Sequence, residues 1–272
     1  MTQREFSALE SVEFDATADL FRAAPEGARS AHSIEVSEVG PATCMTARAI
    51  EPAGVFRRAV RLGVGGAASE TELDVALAHM SAHSQGHRYV VPVAPQSQPS
   101  ELGSWLKKRG FVRGYAWMKF SRSCESPPKA ECDLEFRIVG SDDAEAFGRV
   151  VASGFGLPAS AAPWIGALAG RRNWVCVTAF DAGEPVAAGA AYVSDGYAWL
   201  GLGATLASHR RRGAQNAILA RRLREAAERG ARVAVTETGE QAPDKPSTSY
   251  RNILRAGFEE RYLRLNYLSP PC

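Results

Sequence analysis

The sequence predicts a mixed α/β fold that occurs twice along the chain, and three observations lead to this prediction. Three short apolar segments in the second half alternate with glycine-containing turn signals, which is typical of an antiparallel meander. An amphipathic helix and another strand follow the meander directly. An interval from a serine to a Gly-Phe pair occurs in both halves, as Ser100 to Phe111 and as Ser247 to Phe258.

The second half begins with two predicted helices and then enters the meander. Ser141-Asp142-Asp143 predicts the cap of a helix over Ala144 to Ala152, and a second helix is expected over Pro158 to Ala169. The strands are expected at Trp174 to Phe180, Val186 to Val193 and Tyr197 to Leu206, joined by Asp181-Ala182-Gly183-Glu184 and Ser194-Asp195-Gly196.

The rest of the second half predicts a helix–strand–helix–strand series. The first helix is expected over Ala214 to Arg229, with Gly230 at its end, and the strand over Val233 to Glu237. The remaining expectations are a loop with Pro243 and Pro246, a short helix capped by Ser247 or Ser249 and ended at Gly257, and a last strand over Phe258 to Leu268.

The first half repeats the end of this pattern more faintly. A helix over Glu70 to Gln85 is followed by Gly86 and a strand over Arg88 to Val93. The polar segment SRSCESPPKAECD, with two adjacent prolines, is typical of a linker. We therefore expect one domain at 1–122, a linker at 123–133 and a second domain at 134–272.

The bulk composition gives no sign of a nucleic-acid or membrane protein. The 272 residues are 45% hydrophobic and 23% charged, with a net charge of +2. The five cysteines form no C-x-x-C pair, which favours reduced thiols over disulfides or a structural metal. Neither a signal peptide nor an apolar stretch of about 18 residues is present, so we expect a cytoplasmic protein.

Three arginines, Arg210 to Arg212, precede Gly213 at the start of a predicted helix. Cations at a helix N-terminus oppose the helix dipole unless an anion binds there. Free N–H groups of the first turn, a close backbone approach at Gly213 and the arginine charges together suit a phosphate or diphosphate. The alternative is a solvated basic run before an ordinary helix.

The second half resembles the GNAT superfamily of acyl-CoA N-acyltransferases. Arg210 to Gln215 follows that family's [Q/R]-x-x-G-x-[G/A] loop but departs from it at Gln215, and Asn252 to Phe258 resembles its closing helix and Gly-Phe strand entry. The match covers about Leu134 to Leu268. The first half has Arg61-Leu62-Gly63-Val64-Gly65-Gly66 in place of the basic loop, so it resembles a degenerate copy. The implied fold is two GNAT-like domains, each a mixed, mostly antiparallel sheet flanked by helices.

The resemblance implies acetyl-CoA as co-substrate and no metal. The diphosphate of coenzyme A would lie on backbone N–H groups of the loop, its pantetheine arm along a strand end, and a backbone N–H near Leu206 would stabilise the oxyanion. The implied cofactor-binding residues are Ala204, Thr205, Leu206, Arg210, Arg211, Arg212, Gly213, Ala214, Gln215, Asn216 and Asn252.

Two residues are candidates for the catalytic groups. The family's usual tyrosine acid would stand where this chain has Ile253, so we expect Tyr250, one turn earlier, to protonate the departing thiolate; the alternative is a tyrosine that only packs. We expect Glu237 to be the general base; the alternatives are a solvated glutamate and proton removal through water. Gly201 and Gly203 favour either a bulge that admits the thioester or tight core packing.

The function predicted from these residues is transfer of an acetyl group from acetyl-CoA to a primary amine of a small molecule, by direct attack on the thioester. The alternatives are a non-catalytic acyl-CoA-binding or scaffold protein and an aminoacyl-tRNA-dependent transferase. We expect no nucleic acid or membrane partner, and either a monomer whose halves mimic a dimer or a homodimer. The N-terminal half would form a wall of the acceptor pocket or only stabilise its neighbour.

Overall fold

The structure is a computed structural model that describes residues 1–50, 56–130, 132–241 and 247–271. Its helices are α1 Gln3–Arg22, α2 Glu26–His32, α3 Glu70–Ser84, α4 Leu102–Lys108, α5 Ala144–Gly154, α6 Ala162–Gly166, α7 Ala214–Glu228 and α8 Thr248–Arg255. Its strands are β1 Ile34–Val39, β2 Ala42–Ala47, β3 Arg57–Val60, β4 Val90–Val93, β5 Val112–Ser123, β6 Glu135–Ile138, β7 Trp174–Asp181, β8 Glu184–Ser194, β9 Tyr197–Thr205, β10 Val233–Gly239 and β11 Glu259–Leu268.

The described strands form one mixed sheet in the order β1-β2-β3-β4-β11-β5-β10-β9-β8-β7-β6. Its neighbours are antiparallel except for two parallel pairs, β3 with β4 and β9 with β10. In each parallel pair the connection contains a helix, α3 in the first half and α7 in the second. This repeated strand–helix–strand unit confirms the mixed, mostly antiparallel fold class in two copies.

The two halves of the chain exchange a strand. The last strand, β11, lies between β4 and β5, and β5 pairs in turn with β10 of the second half. The segments 1–122 and 134–272 are thus joined through one continuous ladder of hydrogen bonds.

The predicted meander is confirmed, and its turns explain why the sequence specifies it. Ala182 and Gly183 between β7 and β8, and Asp195 and Gly196 between β8 and β9, have positive φ values of 49°, 86°, 50° and 79°. Two consecutive positive values define the tight turn whose twist matches that of a hairpin.

The prediction of one helix over Pro158 to Ala169 is wrong. A 3₁₀ turn over Ala159–Ala161 leads into the short α6, which ends at Gly166. Pro163 has no N–H to donate to the turn before it, so a continuous α-helix cannot form there. The expected cap Ser247 does accept from the Tyr250 N–H at 3.2 Å, while Pro243 and Pro246 lie outside the described residues.

Helix α1, which was not predicted, packs across the join of the two halves. Its apolar side shares one core with residues of β1, β2, β8 and β9 and with α5 and α6. Helix α7 covers the opposite face of the second half. Among the described helices, none combines the length and the apolar character needed to cross a bilayer.

Candidate active site

The sheet opens between β9 and β10. The two strands pair only from Tyr197 to Trp199 on β9, opposite Val233 to Val235 on β10, and then diverge. A cavity of about 520 Å³ passes through the opening. On one side it is lined by residues of α7 and α8, and on the other by residues of α1, α5, α6 and β3.

A β-bulge forms one wall of the opening. Leu202 and Gly203 of β9 lie opposite the single residue Gly189 of β8, and Leu202 has a φ of 55°. A Cβ at Gly201 would lie 2.0 Å from the indole ring of Trp199, which folds over it. Gly203 thus belongs to a bulge and Gly201 makes room for an indole ring, while admission of a thioester at the bulge stays a prediction.

The loop before α7 presents free backbone donors. Gly213, with a φ of 84°, precedes the helix without a side-chain cap, and Arg211 has a φ of 67°. Among the described residues, no protein acceptor takes the N–H groups of Arg211 to Gln215, whereas that of Asn216 donates to the Gly213 carbonyl at 3.0 Å. Of the six N–H groups from Arg211 to Asn216, which are expected to receive a diphosphate, five are thus available at a helix N-terminus.

The three arginines of this loop have different surroundings. Arg212 donates to Asp181 at 2.5 Å and to Asp133 at 2.6 Å, so the loop is tied to the end of β7. These hydrogen bonds raise the pKa of Arg212. Arg210 and Arg211 are exposed and pair with no carboxylate in the described part of the chain, which leaves their charges available to an anion.

The strand end expected to hold the pantetheine arm is paired on its β8 side. The Leu206 N–H donates to the Val186 carbonyl at 2.9 Å, so this N–H is already engaged. The Thr205 hydroxyl accepts from the Gln215 side chain at 2.6 Å, and Ala204 is buried against Gly154. The backbone of β9 borders the cavity along the edge that faces β10, including the bulge.

Glu237 lies on β10 at the floor of the cavity, and its side chain is 13% exposed. The Trp199 indole N–H donates to its two oxygens at 3.1 and 3.0 Å, and the Lys119 ammonium lies 3.7 Å away. Burial, together with repulsion from the Glu13 carboxylate, raises the pKa of Glu237 to about 7, against the charges of Lys119 and Arg264. A carboxyl with such a pKa accepts and releases a proton near neutrality.

A buried charge cluster beneath Glu237 was missed by sequence reasoning. Glu13 of α1 accepts from Arg264 at 2.7 Å, from Arg58 at 3.2 Å and from Lys119. Burial alone would raise the pKa of Glu13, but the charges of Arg264 and Lys119 hold it well below its ordinary value. No local motif marks these residues, because they lie far apart along the chain.

Tyr250 and Asn252 of α8 lie in different places. Asn252 lines the cavity beside Ile253. Tyr250 does not: its ring packs on Phe120 with centroids 4.9 Å apart, and its hydroxyl donates to Glu260 at 2.6 Å. Burial and the hydrogen bond to Glu260 raise the pKa of Tyr250 to about 12.

Arg222 of α7 also lines the cavity and was not singled out from the sequence. It lies between Leu219 and Leu223 in a largely apolar stripe, yet it points at the bulge of β9 and is only 4% exposed. The signal that could have found it is the accumulation of glycines on the facing strands, at Gly189, Gly201 and Gly203. In the described part of the chain no group of three His, Cys, Asp or Glu side chains is arranged to hold a metal ion.

Neither a protein-family model nor a curated protein sequence matches the chain. Solved structures do: a GCN5-related N-acetyltransferase from Kribbella flavida is similar with a TM-score of 0.66 at 18% identity, over 97% of this chain and 95% of that one. One from Sphaerobacter thermophilus has a TM-score of 0.61 at 17% identity, over 87% and 84%. A tandem GNAT protein from the clavulanic acid biosynthesis pathway has a TM-score of 0.61 at 13% identity, over 98% and 94%. The chain therefore has the tandem GNAT fold.

Proposed function

We propose that this chain, which has the tandem GNAT fold, is an N-acyltransferase that moves an acetyl group from acetyl-CoA to a primary amine of a small molecule. The observation that carries the proposal is that the loop from Arg210 to Gln215, called the donor loop below because it would hold the acyl donor, is continuous with the cavity. Gln215 belongs to the first turn of α7, where the free N–H groups are, and it also lines the opening between β9 and β10. A ligand held by the loop therefore has a direct path into the split of the sheet.

The donor side suits an anionic, extended ligand. The N–H groups of Arg211 to Gln215 and the charges of Arg210 and Arg211 would hold the diphosphate. None of the described strands pairs with the edge of β9 beyond Trp199 toward β10, so this edge offers main-chain groups to the amides of a pantetheine arm. Asn252 is within the same cavity and would add a side-chain hydrogen bond.

The acceptor side is built in part from the N-terminal half, which supports the idea that this half forms a wall of the acceptor pocket. Thr17 and Leu20 of α1 and Phe56 and Arg58 line the cavity there. Aromatic rings of Trp117, Trp164 and Phe155 complete it. A largely apolar, aromatic-rich pocket favours a small molecule with an apolar body.

Glu237 is the group we propose as general base. The amine nitrogen forms its bond to the thioester carbonyl carbon while a proton passes from nitrogen to the Glu237 carboxylate, directly or through one water. At the bulge, Leu202 and Gly203 lie opposite one residue of β8, so one of the two is left unpaired. We propose the N–H of this unpaired residue as the oxyanion donor, in place of the N–H of Leu206, which is already engaged. The bond from carbon to sulfur then breaks with its electron pair on sulfur.

The chain would act as a monomer in the cytoplasm. The halves already share one sheet, and the described thiols Cys44, Cys124, Cys132 and Cys176 are free, which fits a reducing compartment.

Isothermal titration of acetyl-CoA into the full chain tests the proposal, with Arg210→Ala/Arg211→Ala as the loop variant and Arg224→Ala, an exposed arginine on α7, as control. Two lost charge-assisted bonds predict an affinity at least roughly tenfold weaker for the loop variant and unchanged for the control. Absence of binding by the wild type would overturn the proposal. Binding followed by mass-spectrometric detection of an acetylated amine would support it, and binding without transfer to any amine in a broad panel would favour a non-catalytic acyl-CoA-binding protein.

A further inference from the structure

Arg222 is a buried cation to which no carboxylate of the described residues is paired. Its Nη1 donates to the carbonyl of Ala190 at 3.0 Å and to that of Gly201 at 2.7 Å. Its Nε is buried and meets no acceptor in the described residues, and its Nη2 makes no hydrogen bond to them either. Burial lowers the pKa of Arg222 to about 10, so the side chain is still a cation at neutral pH.

The surroundings of Arg222 are shaped to hold it. A Cβ at Gly189 would come within 3.0 Å of its Cζ, and one at Gly203 would lie 3.5 Å from its Nη2. Arginine at a helix surface normally extends to water, whereas this one turns into the protein. Removing a guanidinium from water without a counter-charge is costly, which indicates that an anion completes the site.

The position of Arg222 relative to the donor loop indicates which anion this is, and this step rests on the proposed function. Arg222 follows Gly213 by nine residues, which corresponds to roughly 13 Å along the helix axis. That distance equals roughly four extended residues. The pantetheine arm is a peptide-like chain of pantoyl, β-alanyl and cysteamine units, so a donor with its diphosphate on the loop would bring its sulfur to the bulge beside Arg222.

We propose that the Arg222 guanidinium stabilises the thiolate that leaves during acyl transfer. The amine nitrogen forms the new bond to the carbonyl carbon, its proton goes to Glu237, and the electron pair of the carbon–sulfur bond goes to sulfur. The sulfur departs as an anion against the fixed positive charge and takes a proton from solvent after release. The charge of Arg222 is already in place where negative charge develops on sulfur, so no proton transfer is needed. It would replace an acid such as Tyr250, whose hydroxyl donates to Glu260.

The test follows the thiol of coenzyme A bound to the full chain, without any acceptor amine. Thiolate absorbance in the ultraviolet is titrated against pH for the free and the bound thiol. For the wild type and for Arg224→Met, an exposed arginine of the same helix, the thiol pKa of bound coenzyme A is lowered by at least about one unit. In Arg222→Met the lowering is lost, and in Arg222→Lys part of it remains.

The outcomes separate this inference from the proposed function. If coenzyme A does not bind the wild type, the proposed function fails and this inference with it. If it binds with the thiol pKa of the free compound, or if the lowering persists in Arg222→Met, only the role of Arg222 is refuted. If Arg222→Met does not fold, the affinities of the wild type for coenzyme A and for its desulfo analogue are compared across pH. We expect coenzyme A to bind increasingly more tightly than the analogue as the pH rises. Equal affinities at every pH would refute the inference.

Discussion

We expect Glu237 to make the free energy of unfolding depend on pH, and Glu237→Gln to remove this contribution. Burial, followed by repulsion from Glu13, raises the pKa of Glu237 from 4.5 to about 7 in the folded chain. On unfolding the group returns to water and to its ordinary pKa. The folded state therefore binds more protons than the unfolded state between these two values, and the free energy of unfolding falls as the pH rises through that window.

The size of the effect follows from the pKa shift. A rise from 4.5 to about 7 corresponds to about 3 kcal/mol, at about 1.4 kcal/mol for each pKa unit. Glutamine is neutral at every pH and resembles the protonated acid in shape. Relative to the wild type, Glu237→Gln should therefore gain about 3 kcal/mol in its free energy of unfolding between about pH 5 and about pH 8.

Urea unfolding of both proteins across this pH range measures the gain. Glu228→Gln is the matched control, because Glu228 is exposed on α7 and has no hydrogen bond or ion pair to a described residue. A difference between wild type and Glu237→Gln that stays constant with pH, or that grows equally in the control, would refute the reasoning. The same variant should also be slower in acyl transfer, with the loss greatest above about pH 7, where the wild-type carboxylate is ionised.

Three further substitutions test the packing, the charge cluster and the loop. Gly201→Ala places a methyl group 2.0 Å from the Trp199 ring and should lower the free energy of unfolding in urea by roughly 1–3 kcal/mol, whereas Gly65→Ala, with nothing within 4 Å, should change it little. Glu13→Gln leaves buried cations without their counter-charge and should cost roughly 3–5 kcal/mol in the same assay; a loss under about 1 kcal/mol would contradict the cluster. Gly213→Ala opposes a φ of 84° and should cost roughly 1–2 kcal/mol at the loop, so calorimetry should show roughly tenfold weaker acetyl-CoA binding. Unchanged affinity would show that the loop conformation is not needed.

The elements that sequence reasoning located are those with local signals. The sequence predicts the meander from Trp174 to Leu206 because two-residue turns with Gly183 and Gly196 are typical of hairpins. The helix from Ala214 and the cap at Ser247 were predicted for the same reason, since caps and helix ends depend on neighbouring residues. The donor loop belongs to this class, because its arginines and glycine are consecutive.

The parts that could not be predicted depend on contacts between distant residues. Glu13 meets Lys119 and Arg264 across separations of 106 and 251 residues, so no window of sequence contains the cluster. The exchange of β11 into the sheet of the first half is likewise a property of the whole chain. Tyr250 shows the limit of helical spacing: it lies one turn from Ile253, but only the fold determines that its hydroxyl reaches Glu260.

The two copies of the fold differ at the start of the helix that connects their two parallel strands. In the second copy α7 starts after Gly213 with free N–H groups. In the first copy Ser69 and Glu72 cap the N-terminus of α3 with their own side chains. The loop before α3 is also filled, because a Cβ at Gly63 would lie 2.4 Å from the Gln98 carbonyl oxygen, and the Gln98 N–H donates to the Gly63 carbonyl at 2.8 Å.

A protein oxygen and a capping carboxylate thus occupy in the first copy the place that an anion would need. The chain itself therefore caps the N-terminus of α3, whereas that of α7 has no side-chain cap among the described residues. The first copy instead contributes α1 and β3 to the far side of the cavity. The capping of each helix N-terminus fits the proposed function, in which the second copy would hold the donor and the first would face the acceptor.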